Sequence, residues 1–263
     1  MITLSLCDCG GNVLFESIGR EEALLCFDRI YEDGDRFEIV CDTAKHLKVR
    51  VDAAIGEGEV YLPEGKMTWT VPIGEHRLAY CPGIFDQKRH IAGARVMKED
   101  EVKAERNIAQ NPLDLRGETD FYPHCTANVE TRGESCFAAR NVIDGLVYNT
   151  SHGEWPFESW GIGAREDAWC LLDFGREIDM ESFTLILRAD FPHDAWWTEG
   201  HACFSDGTET SFSLQKTGER QTILCRKEKI RWMRLEKMVK SFDPSAFPSL
   251  RQLEVTGKDR FSR

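Results

Sequence analysis

The sequence predicts an all-β protein made of two antiparallel β-sandwich domains. Short segments alternate apolar and polar residues with a period of two, which is typical of half-buried strands. Turns rich in Gly and Pro, such as "GEGE" and "LPEG", separate these segments. The helices that a parallel α/β sheet needs between its strands are missing. At 263 residues the chain is long enough for two ordinary domains.

The first half contains the clearest alternation. "HLKVRVD" places Leu47, Val49 and Val51 on one face and charged residues on the other, and "KMTWTVP" repeats the pattern around Trp69. Segments of this length with this period favour a sandwich whose inner faces meet in a common core. The first half is therefore predicted to be a β-sandwich.

One amphipathic helix is predicted in the first half, within residues 20–30. Its apolar residues Ala23, Leu24, Phe27 and Ile30 follow a spacing of three to four positions. This spacing puts them on one side of a helix. The helix is thus an expected interruption of the β pattern.

Residues 98–122 are predicted to connect the two domains. The segment is highly charged, is predicted to be helical at its start, and ends in coil that contains Gly and Pro. Such composition is typical of domain boundaries. We predict an N-terminal domain of unassigned role over residues 1–110 and a C-terminal domain over residues 111–263.

The second half again reads as strands. "AWCLLDFG" and "SFTLILRAD" are apolar strands, and Asp206-Gly207 is a strong turn signal between two further strands. "QTILCRK", "IRWMRLEKM" and "RQLEVTG" complete a set of short strands. This set suits a jelly roll.

Composition and charge exclude several classes of function. The net charge of −12 disfavours a nucleic-acid partner, since a phosphate backbone attracts clustered Lys and Arg. No apolar run approaches the roughly 20 residues of a membrane helix, and no G-x-G-x-x-G or P-loop motif suggests a nucleotide cofactor. The N-terminus lacks a secretory pattern and the ten cysteines are mostly scattered, so we expect a cytoplasmic protein with reduced thiols.

A family resemblance rests on three motifs and their order. Ile143-Asp144-Gly145, then Trp160, then Asp173-Phe174-Gly175 resemble the pattern of the galactose-binding-like β-sandwich superfamily. This superfamily includes discoidin and coagulation-factor type C domains and many carbohydrate-binding modules. The resemblance covers about residues 123–257. It implies a jelly roll that binds its ligand on loops at one end of the sandwich.

The resemblance also implies a structural calcium ion. Asp144 and Glu254 match the positions that supply carboxylate ligands in many members, and calcium takes hard oxygen ligands. The alternative is that Asp144 merely forms a turn, with Gly145 supplying a positive φ. Both interpretations are open at this point.

Two loops carry the residue types of a sugar site, in which an aromatic ring stacks on the sugar and polar groups bind its hydroxyls. The first loop is "RADFPHDAWW". The predicted ligand-binding residues are Arg188, Asp190, His193, Asp194, Trp196 and Trp197 in that loop, and His152 and Trp155 in "NTSHGEWPFESWG". Trp196 and Trp197 point opposite ways on an extended backbone, so at most one is expected to be a platform.

The predicted function is non-catalytic binding of a carbohydrate or a glycan-derived metabolite. A module that holds a protein partner or a second copy of the chain is one alternative. A small lyase, hydrolase or isomerase that acts on sugars between the two domains is the other. A deep cleft with a pair of carboxylates would favour this enzyme.

Overall fold

A computed structural model describes residues 1–148, 153–189 and 195–260. Almost all its regular structure is β, and all the strand pairs are antiparallel. The predicted all-β antiparallel class is therefore confirmed. None of the helices in these ranges is long and apolar enough to cross a membrane.

The first half is a sandwich of two four-stranded sheets. Its strands are β1 (Ile2–Cys7), β2 (Val13–Gly19), β3 (Glu22–Asp28), β4 (Arg36–Cys41), β5 (His46–Arg50), β6 (Gly58–Tyr61), β7 (Lys66–Thr70) and β8 (Arg89–Val96). One sheet has the order β2-β1-β4-β7 and the other β3-β8-β5-β6. Leu4 and Trp69 of the first sheet and Val49 of the second are buried in one shared core. The predicted N-terminal sandwich is confirmed.

The predicted helix within residues 20–30 is wrong. The segment forms β3, which pairs with β8 through Ala23 opposite Ala94 and Phe27 opposite His90. Residues four positions apart share a face in a strand as well as in a helix, so Ala23 and Phe27 fit both patterns. Leu24 decides between them, because it is 63% exposed on the opposite face of the sheet.

The connecting segment is packed between the two halves. It holds the short helix α1 (Glu99–Lys103), at the predicted helical start, and the strand β9 (Arg106–Asn107). Further along, Ile108 is buried in the core of the second half, whereas Leu113 is buried in that of the first. The Trp69 Nε1–H donates to the Leu113 carbonyl oxygen over 2.9 Å. The domain division near residue 110 stays a prediction.

The second half forms one large antiparallel sheet that encloses its own core. Its strands are β10 (His124–Ala127), β11 (Trp160–Gly161), β12 (Cys170–Leu187), β13 (Trp197–Phe204), β14 (Glu209–Ser213), β15 (Gln221–Lys240) and β16 (Ser249–Asp259). The order is β11-β16-β12-β15-β13-β14, with β10 added to β12 and β9 to β16. Register shifts bend β12, so Leu172 near one end and Leu185 near the other share a core.

Two local predictions for the second half concern a hairpin turn and the cysteines. The hairpin turn at Asp206-Gly207 joins β13 to β14, and Gly207 has a φ of +81°. This prediction is confirmed. The ten cysteines are all unpaired, with the sulfur atoms of Cys125 and Cys170 lying 3.9 Å apart. Their reduced state in solution stays a prediction.

Candidate ligand-binding cleft

An open cleft lies where the two halves meet. Its volume is about 600 Å³, and it is lined by residues from 77–86 of the first half and from 153–157 of the second. Arg77, Asp86 and Glu154 supply charge, while Trp155 and Phe157 supply aromatic surface. The cleft thus combines the two residue types that a sugar site needs.

A smaller cavity adjoins the cleft. It measures about 80 Å³ and shares Tyr80 and Trp155 with the cleft as common walls. Its other walls include Arg140, Asp144 and Leu146 of the second half. We call these two spaces the cleft and the inner cavity.

The segment that forms one side of the cleft is fixed to the second half. It begins with a 3₁₀ turn, Gly74–Ala79, in which Glu75 is hydrogen-bonded to Ser135. The Ser135 N–H donates to Glu75 Oε1 over 2.5 Å, and the Ser135 hydroxyl donates to the Glu75 carbonyl oxygen over 2.7 Å. The Arg140 guanidinium lies 4.9 Å from the ring centroid of Tyr80. These contacts hold Tyr80 in the wall between the two spaces.

Asp144 is buried beside the inner cavity with one oxygen satisfied and the other not. Its Oδ1 accepts from the Leu146 N–H over 2.8 Å and from Gln252 Nε2 over 2.7 Å. Its Oδ2 is buried and has no hydrogen-bond partner among the described residues. Burial raises the pKa of Asp144 to about 6, against the opposing effect of the positive Arg140 and Arg251. Asp144 therefore titrates close to neutral pH.

Other charges near Asp144 are held in buried contacts. Glu158 and Arg251 are almost fully buried, and Arg251 Nη2 lies 3.2 Å from Glu158 Oε1. Arg140 donates to the carbonyl oxygens of Asp114 and Pro112 over 2.6 and 3.1 Å. Arg140 and Pro112 also line the inner cavity.

Trp155, one of the predicted ligand-binding residues, lines both spaces. Its side chain is half-buried, and its indole Nε1 is buried without a hydrogen-bond partner in the described part of the chain. Buried tryptophan N–H groups usually find an acceptor. The unsatisfied N–H is therefore a second buried polar group that calls for an explanation.

Two residues of the predicted first loop are buried. Trp197 is 1% exposed and stacks on Trp160 with ring centroids 6.1 Å apart, so its prediction as a ligand platform is wrong. Its side chain points inward from β13, where the core of the second half receives it. Arg188 is also 1% exposed and donates from Nη1 to the Phe157 carbonyl oxygen over 2.6 Å. Arg188 thus supports the segment that carries Trp155 and does not reach solvent.

Trp196 lies at the edge of the core of the second half. Its ring is half-buried, and Lys216 Nζ lies 5.6 Å from the ring centroid. Its ligand-binding role stays a prediction. The remaining predicted ligand-binding residues lie outside the described residues; they are His152, Asp190, His193 and Asp194.

The predicted calcium ligands have separate partners. The residue of β16 that contacts Asp144 is Gln252, through its amide nitrogen, while the Glu254 carboxylate pairs with Arg220 at 3.0 Å. A donor amide and nearby arginines do not fit a doubly charged cation, which needs oxygen ligands. The described residues contain no group of three or more His, Cys, Asp or Glu side chains suited to a metal. Calcium stays a prediction of the resemblance.

Sequence reasoning missed the contribution of the first half. Tyr80 and Arg77 lie in "GEHRLAYCPGIFD", which has Gly, Pro, aromatic and charged residues in the mixture that singled out the two predicted loops. That composition was the available signal. No local pattern indicated that this segment faces Asp144 and Trp155, because the contact depends on the packing of the two halves.

No family model matches the chain, and no curated protein matches it. Several solved structures do resemble it. Chitosan-binding module 1 from a Paenibacillus sp. IK-5 chitosanase/glucanase is 16% identical with a TM-score of 0.40, covering 58% of this chain and 99% of that one. A Streptococcus pneumoniae fucose-binding module is 14% identical with a TM-score of 0.40, covering 61% and 99%. The family 32 carbohydrate-binding module of C. perfringens NanJ, in complex with galactose, is 15% identical with a TM-score of 0.36, covering 50% and 90%. Each of these three solved structures is a carbohydrate-binding module.

Proposed function

We propose that the protein binds a carbohydrate, or a glycan-derived metabolite, in the cleft between its two halves. The observation that carries the proposal is the position of Trp155. This side chain lines the cleft and the inner cavity, and its N–H has no partner in the described ranges. An aromatic ring with an unsatisfied donor offers a sugar both a stacking face and a hydrogen bond.

The size and lining of the cleft suit a small polar ligand. Its volume of about 600 Å³ lies within the range of small-molecule sites, roughly 300–1,000 Å³. Arg77 and Asp86 form an ion pair at 2.6 Å in its wall, and Glu154 adds a further acceptor. Charged groups of both signs can bind the hydroxyls of a neutral sugar. The net charge of −12 also disfavours strongly anionic ligands.

A thermal-shift screen of monosaccharides and short glycans tests this proposal. A sugar that binds only the folded protein raises the midpoint of unfolding. The affinity of each hit is then measured by calorimetry for the wild type, Trp155→Ala and Trp196→Ala. We expect Trp155→Ala to abolish binding and Trp196→Ala to retain it.

The Trp196→Ala variant also tests whether the sugar site lies at the loop "RADFPHDAWW" instead of in the cleft. Trp196 belongs to the loop that the sequence singled out, and its ring is half-buried like that of Trp155. If Trp196→Ala abolishes binding while Trp155→Ala retains it, the site lies at that loop and the cleft proposal is wrong. If no carbohydrate binds the wild type, carbohydrate recognition itself is wrong.

One observation favours a sugar-acting hydrolase or lyase as a second candidate. Burial raises the pKa of Asp144 to about 6, which suits a proton donor near neutral pH. Glycoside hydrolysis needs a second carboxyl group, however, and Glu158 is fully buried against Arg251. Release of nitrophenol from aryl glycosides, and its loss in Asp144→Asn, would establish this activity. Binding without turnover would exclude it for those substrates.

A further inference from the structure

Two residues that line the inner cavity each carry a buried polar atom with no hydrogen-bond partner among the described residues. The first atom is an acceptor, Oδ2 of Asp144, whose residue is 7% exposed, and the second is a donor, the Nε1–H of Trp155. Leaving a buried polar group unpaired is unfavourable. Two complementary unpaired atoms on residues of one cavity therefore suit a polar group of a ligand.

Among the polar groups that a ligand carries, a hydroxyl can satisfy both atoms. It can donate its proton to Asp144 Oδ2 and accept a hydrogen bond from Trp155 Nε1. An ammonium group has no acceptor for the indole N–H, and a carbonyl has no donor for the carboxylate. A carboxylate or phosphate would bring a second negative charge beside Asp144.

The size of the inner cavity limits what carries this hydroxyl. The inner cavity, at about 80 Å³, is much smaller than the cleft, at about 600 Å³, so a small group of the ligand suits the inner cavity and its ring suits the cleft. We propose that the inner cavity binds the free hydroxymethyl group of a hexopyranose whose ring lies in the cleft. This inference rests on the proposed function and names its ligand class. The protein should therefore bind more weakly to sugars that lack the 6-hydroxyl or carry a further sugar on it.

Asp144 is held in place for this role. Its Oδ1 is fixed by the Leu146 N–H and by Gln252, whose Nε2 also donates to the Asn141 carbonyl oxygen over 2.7 Å. The Oε1 of Gln252 accepts from the Gly145 N–H over 3.0 Å. The free oxygen therefore keeps its position before a ligand arrives, which reduces the ordering cost of binding.

Charged groups surround Asp144. The positive Arg140 and Arg251 favour the ionised carboxylate, and Glu158 opposes it. The ionised carboxylate is the stronger acceptor for a hydroxyl.

The experiment compares methyl pyranosides of galactose, glucose and mannose with their 6-deoxy counterparts, by calorimetry with the full chain. Removing the 6-hydroxyl should weaken binding to the wild type about 10- to 100-fold, the range for a hydrogen bond to a charged group. In Asp144→Asn, the amide oxygen should keep the contacts of Oδ1 and the amide nitrogen should replace Oδ2. The preference for the 6-hydroxyl should then shrink to less than about threefold.

The outcomes separate this inference from the proposed function. A preference for the 6-hydroxyl that Asp144→Asn removes supports both. Equal affinity for a sugar and its 6-deoxy counterpart, or a preference that Asp144→Asn leaves intact, overturns the inference and leaves sugar binding standing. If none of the pyranosides binds the folded wild type, the proposed function and the inference both fall. Circular dichroism checks that the Asp144→Asn variant is folded. If it is not folded, the affinities of the wild type for each sugar and its 6-deoxy counterpart test the inference by themselves.

Discussion

Two aspartates of this protein are buried to nearly the same extent and have opposite surroundings. Asp259 is 6% exposed and Asp144 is 7% exposed. Burial acts to raise the pKa of both. For Asp259 the contacts from His46, Arg176 and Arg106 outweigh it and hold the pKa well below its usual range. For Asp144 burial prevails and raises the pKa to about 6.

The two aspartates differ in how completely their carboxylate oxygens are paired. Asp259 Oδ2 accepts from Arg106 over 2.7 Å, Oδ1 accepts from Arg176, and His46 lies 3.4 Å from Oδ1. Through His46, Asp259 joins the second half to the first. Asp144 has a free oxygen beside a cavity instead. Buried polar groups that are fully paired stabilise, whereas an unpaired one calls for a functional explanation.

The largest effect is expected for Asp259→Ala. It takes the Asp259 carboxylate from two largely buried arginines, Arg176 and Arg106, of which Arg106 keeps Glu59 as a partner. Breaking a buried pair on one side costs about 3–5 kcal/mol. Urea unfolding followed by circular dichroism measures this loss. Asp167→Ala is the matched control, because Asp167 pairs with Arg165 at the surface, and little change is expected there. Equal losses in the two variants would contradict the structural role of Asp259.

The sign of the pH dependence follows from the lowered pKa of Asp259. Its unfolded pKa is about 3.9, so its contribution to stability is present above that pH and is lost as the pH falls further towards the folded pKa. The Asp259→Ala variant should therefore lose less stability than the wild type on acidification below about pH 4. Parallel stability curves for the two proteins would count against the arginine contacts.

The local features of the fold could be predicted from the sequence. Alternation marked β5 through Leu47 and Val49, and Asp206-Gly207 marked a hairpin, because each signal lies within a few residues. The contact between Asp144 and Gln252 joins residues 108 positions apart, and Tyr80 reaches the same cavity from the other half. No short pattern encodes such distances. Trp155 was identified as a candidate by its residue type, whereas its cleft exists only after the halves have packed.

The second-largest effect is the pH dependence that Asp144 gives to the free energy of unfolding. The folded pKa of about 6 lies above the unfolded value, so the wild type is stabilised below about pH 4 and loses this contribution as the pH rises through about 6. The loss is about 3 kcal/mol if Asp144 acts alone. The Asp144→Asn variant has no such carboxylate to titrate. Its free energy of unfolding relative to the wild type should therefore rise by about this amount as the pH increases from 4 to 8. A constant difference over that range would show that Asp144 is not protonated near neutral pH.

A smaller effect is expected for Gln252→Ala. Gln252 donates to Asp144 Oδ1 and to the Asn141 carbonyl oxygen, and it accepts from the Gly145 N–H. Its loss takes this partner from the Asn141 carbonyl oxygen and the Gly145 N–H and leaves Asp144 Oδ1 with the Leu146 N–H alone, which costs about 1–3 kcal/mol in urea unfolding. Removing a donor to Asp144 also disfavours the ionised carboxylate, so the pH midpoint that Asp144 causes should move upward. An unchanged midpoint would show that Gln252 does not support the ionised carboxylate.

The smallest effect is expected for removal of calcium, and it tests whether the free oxygen of Asp144 is a metal ligand. Asp144 faces the amide nitrogen of Gln252 and lies near Arg140 and Arg251, and Glu254 is paired with Arg220. Because calcium binds several oxygen ligands and positive neighbours repel it, we expect EDTA to leave the melting temperature unchanged within about 1 °C. Adding millimolar calcium should have no effect either. A calcium-dependent rise in the wild type that Asp144→Asn abolishes would assign the free oxygen to a cation, and the hydroxyl contact proposed for the inner cavity would then be wrong.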